Sequence, residues 1–333
     1  MIERDGRVLW CAGAAGCLMM LSVTAAATAG EFNRFIVYGD SLSDVGNVHI
    51  ATGGGIPTSP PYFNGRFSNG PVWVEHLAEI EGISVPQPAL AGGTNFAFGG
   101  ASTGDRAAEM PATPGVSGVG SPNLDTQIGM YLSSGLTPQA DDLFIVWAGA
   151  NDFLIEGEDN AAEAVGRLTG ALGGLAASGA QHILVLNLPD LTRIPNADQP
   201  PSGFVLTPND LGTRTAGYNA LLDDALDDMA TLFPAVTLHR YDAAGLLDRI
   251  VADPAAFGLT NVTDPAFDGM TIVPNPDEYL WWDMVHVSGA VHRIIAEEVS
   301  TLIPEPGTAM IVAGALLLVG SRRPRQSRMT RSQ

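Results

Sequence analysis

The sequence predicts an α/β fold, a single three-layer α/β/α sandwich with a central, mainly parallel sheet. Its 333 residues with 46% hydrophobic content are enough to bury one large core. Residues 31–303 contain neither a repeat nor a long linker, and short apolar runs alternate with segments of helical periodicity. Short, continuously apolar strands separated by helices are typical of a parallel sheet covered on both faces. We therefore expect catalytic loops at the carboxyl ends of the strands.

The predicted strands are short apolar runs, and the predicted helices space their apolar residues at the helical period. Strands are expected, in chain order, at residues 35–38, 143–147, 183–187 and 236–241. Helices are expected at residues 71–81, which begins with a proline, at the Ala- and Leu-rich 163–178, at the long amphipathic 209–232 and at the closing 288–303. Residues 104–121, rich in Gly, Pro and Ser, and residues 195–208 lack periodicity and are predicted to be surface excursions near the active-site mouth.

The chain is strongly acidic, with 36 acidic groups against 16 basic ones and a formal charge of -20. Every basic residue is Arg, because the sequence contains no Lys. Such a surface repels nucleic-acid phosphates and anionic lipid headgroups, and no basic patch with interleaved aromatic residues offsets it. Nucleic acid is therefore not an expected partner.

Residues 1–29 have the layout of a secretory signal peptide. An apolar stretch at 8–23 follows Arg4 and Arg7 and leads into a run of small residues that ends at Ala29. This pattern predicts export, with cleavage after Ala29 and a mature domain that begins at residue 30. An uncleaved N-terminal anchor is the alternative.

Both cysteines, Cys11 and Cys17, lie inside this segment, so the mature chain would contain no thiol. Metal sites built on thiolates and disulfides are thereby excluded, although cleavage before Cys17 as in a lipoprotein is another alternative. No cluster of His, Asp and Glu suggests a catalytic metal, and no cofactor is expected. One helix face concentrates carboxylates that we interpret as solvated, with calcium binding as the alternative: Asp223, Asp224, Asp227 and Asp228.

Residues 304–333 have the layout of a second targeting segment, at the C-terminal end of the chain. Pro-Glu-Pro at 304–306 precedes an apolar run, and five arginines follow that run. Residues 308–320 number 13, fewer than the roughly 20 that span a bilayer comfortably. The layout resembles the PEP-CTERM sorting signal of Gram-negative bacteria that make exopolysaccharide. That resemblance implies an exosortase as processing partner, removal of the tail, and release to the cell surface or extracellular matrix. A plain C-terminal anchor is the alternative, and membrane contact is expected only through the terminal segments.

The strongest chemical signal is residues 35–47, FIVYGDSLSDVGN. A buried strand ends at Gly39, and Ser41 follows where the chain must turn toward a helix. This placement exposes the hydroxyl at the sheet edge and directs helix-start amides toward the group that it attacks. The motif differs from the G-x-S-x-G turn of α/β-hydrolases, because Ser43 stands where the second glycine should be.

This stretch resembles block I of the GDSL esterases and lipases, also called SGNH hydrolases. Three further blocks follow in the family's order, namely TNFAFGGA at 94–101, WAGAND at 147–152 and DMVH at 283–286. The resemblance covers nearly the whole mature domain and implies an SGNH hydrolase-like fold. It also implies an oxyanion hole made of the backbone amides of Ser41 and Gly99 and the side-chain amide of Asn151.

The four blocks contain what acyl transfer needs. Ser41 requires a base, and the neutral imidazole of His286 suits that task. Asp283 is placed to hold the imidazole in one tautomer and to stabilise the imidazolium. Each residue alone also has a structural interpretation, as a helix cap for Ser41 or a packed side chain for His286. Their joint occurrence favours the catalytic interpretation.

The expected function is hydrolysis of a carboxylic ester through an acyl-enzyme on Ser41. The family resemblance leaves the substrate open among lipids, aryl esters and acetylated sugars. The forms of blocks I and II resemble the lipolytic branch, whereas export toward an exopolysaccharide favours O-acetyl groups; we expect short-chain acyl esters. The alternatives are a carbohydrate O-acetyl esterase acting on exopolysaccharide and a non-catalytic surface or matrix binding protein on the same fold.

Overall fold

The computed structural model describes residues 32–104, 121–158, 160–195, 197 and 211–303. Its central sheet has four parallel strands in the order β1-β2-β3-β4. The strands are β1 Arg34–Gly39, β2 Asp142–Trp147, β3 His182–Leu186 and β4 Thr237–Tyr241. All six residues of β2 are buried, as a strand covered on both faces requires. The predicted parallel sheet is therefore confirmed, and each strand lies within two residues of its predicted position.

Eight α-helices surround the sheet within the described ranges. They are α1 Asn47–Ala51, α2 Trp73–Ile80, α3 Leu124–Ser133, α4 Ala150–Leu154, α5 Ala161–Ser178, α6 Leu211–Leu232, α7 Ala243–Ala252 and α8 Gly289–Leu302. Helix α2 packs against α8, whereas α5 packs between α3 and α6. The sheet thus lies between two helical layers, and the predicted three-layer α/β/α sandwich is confirmed. None of the described helices is both long and apolar enough to span a membrane.

An extended segment, residues 94–98, continues the sheet on the other side of β1. The amide of Val37 donates to the carbonyl of Thr94 at 3.0 Å, and the amide of Phe96 donates back to the carbonyl of Val37 at 2.7 Å. After β1 the chain therefore pairs first on one side of this strand, and later returns as β2 on the other side. The carboxyl end of β1 is a topological switch point, the place where open α/β sheets bind their ligands.

A second, two-stranded parallel sheet, β5 Asn261–Pro265 and β6 Tyr279–Trp281, precedes α8. The side chain of Ser288 accepts from the amide of Val291 and begins α8 one residue after its predicted start. The predicted signal peptide and sorting tail, residues 1–29 and 304–333, lie outside the described residues.

Candidate active site

The turn that carries the nucleophile begins at Gly39, the last residue of β1. A Cβ at this position would overlap the carbonyl oxygen of Trp147, and its φ of +147° lies outside the range of other residues, so only glycine fits. The buried side chain of Gln127, from α3, forms hydrogen bonds with both backbone groups of Gly39. Its Oε1 accepts from the amide of Gly39 at 2.9 Å, and its Nε2 donates to the carbonyl at 2.8 Å. The end of β1 is thereby fixed just before Ser41.

Asp40 shapes the next turn. Its Oδ1 accepts from the amide of Leu42 at 3.0 Å, and its carbonyl accepts from the amide of Ser43 at 3.1 Å. Ser41 is consequently presented at the sheet edge with 9% of its surface exposed. Burial raises the pKa of Asp40 to about 6, although the nearby His286 opposes the shift.

Ser41, His286 and Asp283 meet in space as the sequence predicts. Ser41 Oγ lies 2.9 Å from His286 Nε2, although the two residues are 245 positions apart in the chain. His286 Nδ1 lies 2.8 Å from Asp283 Oδ2 and 3.0 Å from Oδ1. The three side chains thus form one continuous hydrogen-bonded line, with the geometry of a serine-hydrolase triad.

The charges of this line are set by its surroundings. Burial alone would raise the pKa of Asp283, but the charge of His286 and the hydrogen bonds that the carboxylate accepts lower it overall. Those bonds come from the amides of Val285 at 2.8 Å and His286 at 2.7 Å, and the Tyr62 hydroxyl also donates to this carboxylate at 2.7 Å. Burial would lower the pKa of His286, yet the charges of Asp283 and Asp40 raise it. An ionised Asp283 can therefore stabilise a protonated imidazole ring of His286.

The Asp283–His286 loop is held by residues 62–70, which the sequence motifs did not single out. Ser68 Oγ donates to the carbonyl of Val287 at 3.0 Å, immediately after the base. The amide of Gly289, at the start of α8, donates to Asn69 Oδ1 at 2.7 Å. These contacts bridge about 220 positions of the chain, so local sequence patterns carry no sign of them.

Asn151 lies in the first turn of α4, just beyond the carboxyl end of β2, and is 7% exposed. Its Nδ2 donates to the carbonyl of Ala101 at 2.9 Å, which fixes the amide and leaves its second hydrogen for another acceptor. None of the described residues accepts from the amide of Ser41. Ser41 and Asn151 line the same cavity, so both can meet an oxyanion there.

Gly99, the third predicted oxyanion donor, has another partner in this structure. Its amide donates to Asp44 Oδ2 at 3.0 Å. The same buried carboxylate accepts from the amides of Gly46, Asn47 and Val48, and so caps α1. Asp44 thereby ties the first motif block to the second, and the role of Gly99 toward an oxyanion stays a prediction.

Two cavities flank His286. The narrow cavity is the more enclosed and includes Ser41 and Asn151 in its wall. The rest of its lining is mostly aliphatic, and includes Leu42, Leu154, Leu191, Leu246, Leu247 and Ile250. The open groove lies on the other side and is wider. It is lined by aromatic, aliphatic and small residues, among them Ile56, Thr58, Tyr62, Phe67, Phe267 and Met284.

The acidic face of α6 and the buried His292 both have structural explanations. Arg240 pairs with Asp223 at 2.9 Å and with Asp227 at 2.7 Å, so an arginine occupies the acidic helix face. Within the described ranges, no three His, Cys, Asp or Glu side chains come together to hold a metal ion. Buried His292 accepts the amide of Trp73 at 3.2 Å, so it supports the start of α2 and does not join the triad.

A parallel α/β sandwich with a Ser–His–Asp line at its switch point is an arrangement typical of serine hydrolases. Comparison with known proteins gives the family. A sequence model of the GDSL-like lipase/acylhydrolase family matches residues 36–299. The chain therefore belongs to the GDSL-like lipase/acylhydrolase family, and is an enzyme that acts on carboxylic ester bonds.

Several named relatives match over most of the chain. Phosphatidylcholine-sterol acyltransferase from Aeromonas hydrophila is 28% identical, and the match covers 86% of this chain and 94% of that protein. Acetylajmalan esterase 2 from Rauvolfia serpentina is 25% identical over the same shares of the two chains. Thermolabile hemolysin from Vibrio parahaemolyticus is 25% identical over 82% of this chain, but the match spans only 64% of that longer protein.

Proposed function

We propose that this enzyme hydrolyses carboxylic esters through a covalent acyl-enzyme on Ser41. The observation that carries the proposal is the hydrogen-bonded line in which Ser41 Oγ lies 2.9 Å from His286 Nε2 and His286 Nδ1 lies 2.8 Å from Asp283. His286 takes the proton of Ser41 as the hydroxyl attacks the ester carbonyl, and ionised Asp283 stabilises the imidazolium. The resulting oxyanion is met by the amide of Ser41 and the carboxamide of Asn151.

Collapse of this intermediate expels the alcohol, which receives its proton from His286. A water molecule then attacks the acyl-enzyme with His286 again as base, and the acid leaves. Ser41 is thereby regenerated with its proton, so both half-reactions use the same base. Each half-reaction also passes through an oxyanion at the same place.

The narrow cavity supports an acyl group with an unbranched apolar chain. Ser41 and Asn151 lie in its wall, so the carbonyl carbon must sit at its entrance, and the aliphatic side chains beyond favour a hydrocarbon tail. The sequence favours short-chain esters, and the mostly aliphatic lining of the cavity, which includes Leu42, Leu247 and Ile250, favours an apolar acyl chain. The match to an acyltransferase named for phosphatidylcholine is consistent with this choice.

Replacement of Ser41 by Ala tests the reaction. We expect turnover of p-nitrophenyl butyrate to fall by a factor on the order of 10⁴ or more, because the nucleophile is lost, while the melting temperature stays unchanged. A fluorophosphonate probe should label the native protein and leave the variant unlabelled. Turnover retained in the variant would contradict the acyl-enzyme, and a folded native protein that resists the probe would favour a non-catalytic binding role.

The acyl group is tested by a substrate series. Acetate to decanoate esters of one alcohol should show an optimum above acetate, whereas a preference for acetylated polysaccharide would favour the carbohydrate O-acetyl esterase.

We also propose that the enzyme is exported and that an exosortase-type protease removes the tail. The layouts of residues 1–29 and 304–333 support this part of the proposal. The intact mass of the native protein checks both ends, and a mass that includes both segments would overturn it.

A further inference from the structure

The open groove is built beside the base and away from the acyl-binding wall. Phe67 tilts toward the His286 ring, with the ring centroids 5.2 Å apart and an interplanar angle of 34°. Phe267 and Tyr62 also line the groove. His286 and the three aromatic side chains, Phe67, Phe267 and Tyr62, are half-buried, so each keeps part of its surface for a ligand. Neither the catalytic line nor the acyl chain accounts for this aromatic wall.

The aromatic wall is held rigidly from behind. Phe267 stacks on buried Trp282 with the centroids 5.4 Å apart and an interplanar angle of 22°. The ring of Tyr62 meets both of them edge-on, at 6.0 Å from each. The Tyr62 hydroxyl is itself fixed by its hydrogen bond to Asp283. A wall of this kind offers preorganised apolar surface that a flat ring can meet by stacking or edge contact.

The reaction chemistry assigns this groove to one half of the ester. The proton on His286 Nε2 must pass to the oxygen of the departing alcohol, so the alcohol has to leave along the imidazole. The acyl half is bonded to Ser41, which lines the narrow cavity and is not among the residues that line the open groove. His286 lines both spaces, and the open groove is the wider of the two.

We propose that the open groove binds the alcohol half of the ester, and that it fits an uncharged alcohol with an apolar ring. This inference rests on the proposed acyl-enzyme reaction. No arginine is found among the described residues that line the groove, whereas exposed Asp268 and ionised Asp283 both line it. An anionic alcohol such as a phosphorylated one therefore meets repulsion there, whereas a neutral ring meets aromatic side chains.

The alcohol has left before deacylation begins, so the groove acts only on formation of the acyl-enzyme. Changes in the groove should therefore appear in kcat/KM and depend on the alcohol, whereas the hydrolysis rate of a common acyl-enzyme stays the same. Changes in the narrow cavity should depend on the acyl chain. This difference separates the two spaces experimentally.

Two variants test the groove in opposite ways. Thr58→Trp places a bulky side chain into it from an exposed position, and Phe267→Ala removes part of the aromatic wall. We expect each to lower kcat/KM for 2-naphthyl butyrate about tenfold relative to ethyl butyrate, Thr58→Trp because the indole occupies the groove and Phe267→Ala because roughly one aromatic contact is lost. Taking variant-to-native ratios for each ester cancels the different intrinsic reactivity of the two alcohols. As a matched control, Leu247→Phe should change the preference between acetate and hexanoate equally for both alcohols.

A binding measurement separates this inference from the acyl-enzyme itself. By calorimetry, 2-naphthol should bind to the Ser41→Ala protein, and adding Thr58→Trp should weaken that binding about tenfold, whereas adding Leu247→Phe should leave it unchanged. Equal losses for both butyrates, or 2-naphthol binding unaffected by Thr58→Trp, would overturn the groove assignment even if the acyl-enzyme is demonstrated. Activity retained by Ser41→Ala would instead overturn the proposed reaction, and the 2-naphthol result would still decide the groove.

Discussion

The two halves of the active site are built by different means. Ser41 and Asn151 follow neighbouring parallel strands, so the main-chain hydrogen bonds of the sheet set the distance between them. Asp283 and His286 lie in a loop before α8, outside the central sheet, and side chains of residues 62–70 hold that loop. The nucleophile half is therefore positioned mainly by strand pairing, with side chains such as Gln127 fixing the turn, whereas the acid–base half depends on side-chain contacts between distant segments.

Replacing Asp283 by Asn gives the largest expected effect on the acid–base half. We expect kcat to fall by a factor of about 10⁴, because the imidazolium loses its charged partner and the tautomer is no longer fixed. In the native enzyme kcat/KM should rise as His286 loses its proton, with a midpoint above the ordinary imidazole value of 6.5 because the pKa of His286 is raised. Removing the negative charge should move this rise to lower pH.

A pH series of kcat/KM on a neutral ester measures this shift. The exposed Asp253→Asn serves as the control for losing a carboxylate elsewhere on the surface, and should keep the native profile. A profile for Asp283→Asn that keeps the native midpoint would show that the carboxylate does not set the pKa of His286.

Replacing Asn151 by Ala probes the nucleophile half. We expect kcat to fall by two to three orders of magnitude with little change in KM, because a donor that meets developing charge acts mainly in the transition state. The size of the fall also tests whether Gly99 is an oxyanion donor, since its amide donates to Asp44 in this structure. A fall below about tenfold would mean that other donors carry the oxyanion, and would return Gly99 to the oxyanion hole.

Much of the nucleophile half could be predicted from the sequence because its signals are local. Helix α5 was expected at 163–178 and is found at Ala161–Ser178. Helix α3 was not predicted, since buried Gln127 interrupts its inward apolar positions; that polar residue faces inward because it clamps Gly39. Helix α7 was also missed, although the cap at Asp242, which accepts from the amide of Gly245 at 3.0 Å, was a usable signal.

The acid–base half was predictable only in part. The motif located Asp283 and His286, but nothing near them in the sequence pointed to Tyr62, which lies 221 positions from its carboxylate partner. Side-chain contacts across such separations leave no periodicity and no spacing to read. The supporting residues of a catalytic loop therefore become visible only in the fold, while the reacting residues stand out in the chain.

Replacing Tyr62 by Phe gives the smallest of these effects and tests that support directly. The hydroxyl donates to Asp283 at 2.7 Å, while burial and the charge of Asp283 raise the pKa of Tyr62 so that it stays protonated. Its removal leaves the ring in place and costs about 1 kcal/mol, so kcat should fall up to about tenfold with KM nearly unchanged. The released carboxylate should also raise the pKa of His286, moving the rise of kcat/KM to higher pH.

Tyr131→Phe is the matched control for this change. The Tyr131 hydroxyl is buried and has no hydrogen-bond partner in the described part of the chain, so its removal should leave kcat, the pH profile and the melting temperature close to native. If Tyr62→Phe lowers only the melting temperature while kcat and the pH midpoint stay native, Tyr62 supports the fold alone. A fall in kcat with a shifted midpoint of the pH profile, absent in Tyr131→Phe, would instead show that Tyr62, in the segment 62–70, positions Asp283 and His286. These two residues lie outside the central sheet, so strand pairing does not position them.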